Sequence, residues 1–138
     1  MSVAVFDYKQ VSDISWMPLI PIHLQFAGRT LQTEALVDSG AGVSLLPYAV
    51  GLNLGLRWEE QVQGPNLTGN ASRDETRLVS LECVIPSFEP MYFGFVWSKG
   101  NQRRILLGQQ NFFSRFDVYF VGRSLKLTLM LPVTNGGV

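Results

Sequence analysis

Leu36-Val-Asp-Ser-Gly-Ala-Gly-Val-Ser-Leu-Leu46 is the stretch that decides how this chain is read. An apolar strand runs into Asp38-Ser39-Gly40-Ala41 and resumes apolar at Val43. A carboxylate at the end of a hydrophobic run is costly to bury, so hydrogen bonds must hold it and a task must justify it. Ser39 offers a hydroxyl that can bond to nearby backbone, and Gly40 lets backbone approach where a Cβ would clash.

Outward from this loop, the dominant period is two. Ile20, Ile22, Leu24 and Phe26 alternate with Pro21, His23 and Gln25, and Leu31, Thr33, Ala35 and Val37 share one face of a return strand, giving a hairpin turned at Gly28. Further strands are predicted over Leu78–Ile85 and Met91–Trp97, the second continuously apolar and so expected to be buried on both faces. Near the end Phe116, Val118 and Phe120 alternate, Gly122-Arg123 turns, and Leu125, Leu127, Leu129 and Leu131 alternate on the return. Two helices interrupt the strands. Pro47–Leu56 has proline where a first turn tolerates it, and Gln109–Arg115 has room for two turns after Gly108. The expectation is an all-β fold, a closed and mostly antiparallel barrel with one or two short helices, and a single domain over residues 1–138.

Composition excludes several classes. Eleven basic and eleven acidic residues balance, with only Arg103-Arg104 adjacent, so nucleic acid is not an expected partner. No apolar run is long enough to cross a bilayer and no basic segment precedes an apolar one at the N-terminus, so a soluble, cytoplasmic protein with no membrane partner is expected. Cys83, the one cysteine, cannot form an intrachain disulfide and reads as a small buried hydrophobe. His23 is the one histidine; its polar-phase position makes it a surface or edge residue, which disfavours a Ser-His-Asp triad. One His and one Cys make no typical zinc site, no glycine-rich phosphate loop follows a strand, and neither metal nor cofactor is expected. Met91, Tyr92, Phe93, Phe95 and Trp97 are expected to pack in the core.

Asp38-Ser-Gly-Ala41 with its apolar flanks resembles the catalytic loop of aspartic peptidases, and in a chain this short it is similar to the retropepsins and their bacterial relatives. The order from Pro18 to Asp38, strand, glycine turn, strand and then Asp, matches what that family places before its catalytic residue. Ile105-Leu-Leu-Gly108 followed by Gln109-Gln-Asn-Phe-Phe113 resembles the apolar-apolar-Gly motif that precedes the family's short helix. The resemblance implies a retropepsin-like acid-protease barrel, with Asp38 catalytic and Ser39 and Gly40 joining two catalytic loops. It also implies a flap, a β-hairpin that folds over bound peptide, in the polar segment between Trp58 and Arg77, with its tip near Leu67–Ser72. Substrate contacts would then fall to Ala41, Gly42, Leu67, Thr68, Gly69, Asn70 and Leu106.

The mechanism that the resemblance implies needs two carboxylates, one accepting a proton from the attacking water and one hydrogen-bonding the peptide carbonyl. Asp7, Asp13, Asp74 and Asp117 lie in no matching context, and Asp117 reads as solvent-facing. A homodimer placing Asp38 opposite Asp38 across a two-fold axis is therefore expected, acting as an endopeptidase on a peptide or protein substrate. The rival is a catalytically inactive, dimeric peptide-binding or scaffolding protein on the same fold. Retroviral enzymes usually pair an acid two places after the loop glycine with an arginine directly after the later glycine, which braces the dimer near the active site. Gly42 and Gln109 stand there instead, so the brace is expected to come from elsewhere.

Overall fold

The computed structural model describes residues 2–69 and 72–132. The first hairpin forms as its alternation requires: β4 (Leu19–Phe26) returns as β5 (Arg29–Val37) through a two-residue turn. Ala27 and Gly28 both have positive φ, 47° and 83°, the backbone twist that suits a tight hairpin. Ile20, Ile22, Leu24 and Ala35 are fully buried, and each of the isoleucine and leucine side chains removed from water contributes about 1.5–3 kcal/mol.

After β5 the chain forms β6 (Leu45–Pro47), helix α1 (Tyr48–Asn53) and a short strand β7 (Val62–Gln63). A separate two-stranded hairpin, β8 (Leu67–Gly69) with β9 (Ser72–Asp74), comes next. The long strands β10 (Thr76–Val84) and β11 (Met91–Ser98) follow, then β12 (Ile105–Leu107). Six strands close on themselves in the order β11, β6, β12, β5, β4, β10 and back to β11. Most neighbours are antiparallel; β12 runs parallel to β5, and β6 parallel to β11. Closure removes free sheet edges and leaves one face of each strand for the core. On β10, Val79, Leu81 and Cys83 point inward while Leu78 and Ser80 point out. Burial pushes the Cys83 thiol up to about 12, with a smaller opposing contribution from a backbone hydrogen bond, so it stays protonated as the small hydrophobe its context suggested.

At the end of the barrel, α1 lies against Trp97. A Cβ on Gly51 would come within 2.3 Å of the indole, so only glycine permits this approach. The indole Nε1 donates to the Tyr48 carbonyl at 3.1 Å.

Four expectations are corrected. Gln109–Arg115 is not a two-turn helix: Asn111 sits at φ 73°, and its side-chain Oδ1 accepts from the Gly94 N–H at 3.0 Å. The asparagine amide is drawn across to β11, and a left-handed residue breaks the helical path. Strand β11 is buried on both faces only in its second half, since Tyr92 remains 60% exposed and so is not a core aromatic. His23 lies on an inner strand flanked by β5 and β10, half-buried, and is not an edge residue. Leu125 stands at the left-handed turn (φ 54°) of the last hairpin, outside its strand.

That last hairpin, β13 (Asp117–Val121) and β14 (Lys126–Leu131), gains a third strand from the other end of the chain, β1 (Ser2–Asp7), paired along β14. Ala4, Leu127 and Leu129 face the core. The opposite face carries Val3, Val5, Tyr119 and Val121, each 44–59% exposed. Strands β2 (Lys9–Ser12) and β3 (Ser15–Met17) form a small hairpin between β1 and the barrel strands. Among the described residues no helix is long and apolar enough to cross a membrane.

Candidate active site

Asp38 is the first residue beyond β5, and backbone holds it from both sides. Val37 N–H donates to the Pro18 carbonyl and Asp38 N–H to the Leu107 carbonyl, each at 3.0 Å. The chain then turns tightly: Ala41 N–H donates to the Asp38 carbonyl at 3.2 Å, and Gly40 N–H donates to Asp38 Oδ1 at 2.9 Å. The carboxylate is thereby aimed by its own loop. A Cβ on Gly40 would stand 3.3 Å from that oxygen, tight enough to press on it. Asp38 and Ala41 are half-buried, while Ser39, Gly40 and Gly42 are exposed. The loop thus leaves one carboxylate partly open to solvent, with its Oδ1 held by backbone.

The segment after β12 clamps the far side of the loop. Gln109 N–H donates to the Ala41 carbonyl at 2.8 Å and Gln110 N–H to the Gly42 carbonyl at 3.2 Å. Gly108 makes this contact possible: a Cβ there would lie 2.3 Å from the Val43 carbonyl oxygen and 2.6 Å from that of Ala41. Ser44, 1% exposed, joins the two segments through one hydroxyl that accepts from Gly108 N–H at 3.1 Å and donates to the Gln110 carbonyl at 3.0 Å. The sequence reading did not single out Ser44. Its signal is a hydroxyl inside the apolar run Val43-Ser44-Leu45-Leu46, which can be buried only if bonded.

Within the chain, Gln109 contributes a further contact to the loop through its side chain. Gln109 Nε2 donates to the Ser39 carbonyl at 2.8 Å. Leu106 is half-buried on β12, in register with Leu36 and Leu45 on either side, one strand position from the Leu107 carbonyl that holds Asp38.

The segment expected to form a flap does form a hairpin. Leu67 pairs with Asp74, Thr68 with Arg73 and Gly69 with Ser72, while Asn70, assigned to substrate contact, lies outside the described residues. Below the hairpin, Gly64 N–H donates to the Thr76 carbonyl at 3.1 Å, and the buried Thr76 hydroxyl donates to the Pro65 carbonyl. Trp58, 5% exposed, lies near this neck with two cations over its ring, Lys99 Nζ at 4.5 Å and Arg77 Cζ at 4.7 Å from the ring centre. A cavity of about 310 Å³ opens beside the Asp38 loop, between Val43, Leu78, Val96 and Asn111. Among the described residues no three His, Cys, Asp or Glu side chains are grouped to hold a metal ion.

This barrel, with Asp38 between β5 and a clamp of Leu107–Gln110, is the retropepsin-like fold. The structure is similar to that of a retropepsin-like aspartic protease from Rickettsia conorii, with a TM-score of 0.69 at 14% identity over 94% of this chain and 99% of that one. It is also similar to EIAV protease in complex with an inhibitor, with a TM-score of 0.55 at 17% identity over 72% of this chain and 88% of that one. No family model matches the chain, and no curated protein matches it by sequence.

Proposed function

We propose that the chain is an aspartic endopeptidase whose site is completed by a second copy, with two Asp38 carboxylates activating one water. The observation that carries this reading is the Asp38 carboxylate itself. It is half-buried at the end of β5, bonded through Oδ1 to Gly40 N–H, on a loop fixed from both sides by backbone. In this mechanism one carboxylate takes a proton from water as it attacks the peptide carbonyl, and the other donates a hydrogen bond to the carbonyl oxygen. One chain supplies one such carboxylate, so the pair requires a dyad through the loop. The apolar outer face of the β1–β14–β13 sheet, with Val3, Val5, Tyr119 and Val121 exposed, supports self-association. The hairpin β8–β9, which carries Leu67, Thr68 and Gly69, is the element suited to cover an extended peptide, and the loop residues Ala41 and Gly42 with Leu106 on β12 are the substrate contacts proposed on the barrel side.

The test compares the parent with Asp38→Asn on a mixed peptide library across pH, with the oligomeric state measured by sedimentation. The parent should cleave peptides as a dimer, along a bell-shaped pH profile with its optimum on the acid side of neutrality, because the working state holds one proton between two carboxylates. The Asn variant should stay folded and dimeric while its rate drops by about 10²-fold or more. An Asn variant as fast as the parent removes Asp38 from the chemistry. A parent that binds peptides as a dimer and cleaves none at any pH identifies the non-catalytic binding protein instead.

A further inference from the structure

We propose that Gln109 is the positioning residue of the catalytic loop, aiming the Asp38 carboxylate through the peptide unit between Ser39 and Gly40. The inference rests on the peptidase reading, and its geometry is that of one planar group. Gln109 Nε2 donates to the Ser39 carbonyl at 2.8 Å, and Gly40 N–H donates to Asp38 Oδ1 at 2.9 Å. Ser39 C=O and Gly40 N–H belong to the same peptide plane and point in opposite directions across it. Whatever fixes the carbonyl end therefore fixes the N–H end, and with it the carboxylate oxygen that N–H holds. The two hydrogen bonds in series also polarise the shared amide, so each strengthens the other.

Gln109 is placed to do this because its main chain is already fixed. Its own N–H donates to the Ala41 carbonyl at 2.8 Å, so one residue takes alternate carbonyls of the loop, 39 by side chain and 41 by backbone. Gly108 before it and the Ser44 hydroxyl beside it hold the backbone from which the side chain reaches. The retroviral pattern puts an arginine at this position with an acidic partner two places after the loop glycine. Here Gly42 carries no charge, and a neutral amide supplies a donor with no formal charge beside Asp38. The loop is thus braced by direction of hydrogen bonding, not by an ion pair, and the brace should not weaken with salt as a screened charge pair would.

The experiment measures amide hydrogen exchange at Gly40 by NMR near neutral pH, in the parent and in Gln109→Ala, Gln109→Glu and Gln109→Arg. Glu matches glutamine in size but, ionised, presents only acceptors to the Ser39 carbonyl; Arg is larger but keeps N–H donors. Gly40 exchange should accelerate about three- to ten-fold in the Ala and Glu variants, the size of one modest hydrogen bond, and stay near the parent's value in Arg. Amides of the β4–β5 hairpin should not change. With peptide substrate, kcat should fall by a similar factor in Ala and Glu with KM nearly constant, since substrate contacts are untouched. Parent-like exchange at Gly40 in the Glu variant overturns the proposal, and so does acceleration that extends equally through β4 and β5. The exchange readout needs no turnover, so a parent that cleaves nothing defeats the peptidase reading while the positioning role is still decided.

Discussion

The Asp38 loop and the β8–β9 hairpin lie on the same barrel and are attached to it in opposite ways. The loop is bound backbone to backbone along nearly its whole length: Asp38 to Leu107, Ala41 to Gln109, Gly42 to Gln110, with a glycine at the tightest point. The hairpin's described strands pair with each other and with no barrel strand, and the connection to the barrel is concentrated at a neck formed by Gly64, Pro65 and Thr76. The difference separates two physical tasks. On the proposed peptidase reading, a group that must hold one geometry to a fraction of an ångström is built from rigid peptide planes, and a cover that would admit and release a peptide hangs from a few bonds.

Two glycine substitutions give the largest contrast. In Gly108→Ala the new methyl would meet the Val43 and Ala41 carbonyl oxygens at 2.3 and 2.6 Å, both backbone atoms of the loop that carries Asp38. Neither can rotate away, so the loop must shift. A loss of about 3 kcal/mol or more in urea unfolding is expected, together with loss of peptide cleavage. Gly64→Ala meets the Thr76 hydroxyl at 2.6 Å and a Leu78 methyl at 3.3 Å; the leucine can move, and the threonine gives way only by loosening its bond to the Pro65 carbonyl. About 1–2 kcal/mol is expected there, with cleavage largely retained. If Gly64→Ala proves the more damaging of the two, the loop is not the rigid partner.

Ser44→Ala sharpens the same comparison at lower cost. It removes a fully buried hydroxyl and leaves Gly108 N–H without its acceptor, so about 1–3 kcal/mol should be lost. Its counterpart at the neck is Thr76→Val, which keeps the shape and removes the bond to the Pro65 carbonyl, for about 1 kcal/mol. The two should differ in where they act. Ser44→Ala is expected to lower kcat, and Thr76→Val to change KM, because one touches the loop under the carboxylate and the other the hinge of the cover. Equal effects of both on kcat alone would mean that neck and loop work as one body.

Much of the loop was legible in the sequence and less of its clamp. Ile20 to Phe26 and Leu31 to Val37 declared a hairpin because the period-two pattern and a glycine turn are local signals, and Asp38 followed from where that pattern stopped. The clamp depends on contacts between residues far apart in sequence. Gln109–Arg115 looked helical from within, and only the bond from Asn111 to Gly94 on another strand shows why it is not. Gln109 looked like a lost partner because charge was the pattern sought, while its amide supplies the donor. The β1 strand was missed for a related reason: Val3 and Val5 are exposed and Ala4 is a small core residue, so Ser2–Asp7 carries no inward alternation of large side chains, and its partner β14 lies at the other end of the chain. The hairpin at 67–74 was placed by family order alone, since nothing in its polar composition requires strands.

The smallest expected effect lies near the neck, at Trp58. Lys99 Nζ stands 4.5 Å and Arg77 Cζ 4.7 Å from the ring centre, so one indole faces two cations. Each is attracted to the ring, with about 0.5–1 kcal/mol typical where water still reaches the charge, yet two cations this close to one ring repel each other. Removing one relieves that repulsion and strengthens the other contact, which puts the net loss at the lower end of the range. Lys99→Met keeps the aliphatic stem against the ring and deletes only the charge, so about 0.5 kcal/mol is expected in urea unfolding. A double-mutant cycle with Arg77→Met should then be non-additive, the second deletion costing more than the first because the remaining cation had gained what the first gave up. Strict additivity would show that the cations do not sense one another over the ring, and that Trp58 supports the neck by packing alone.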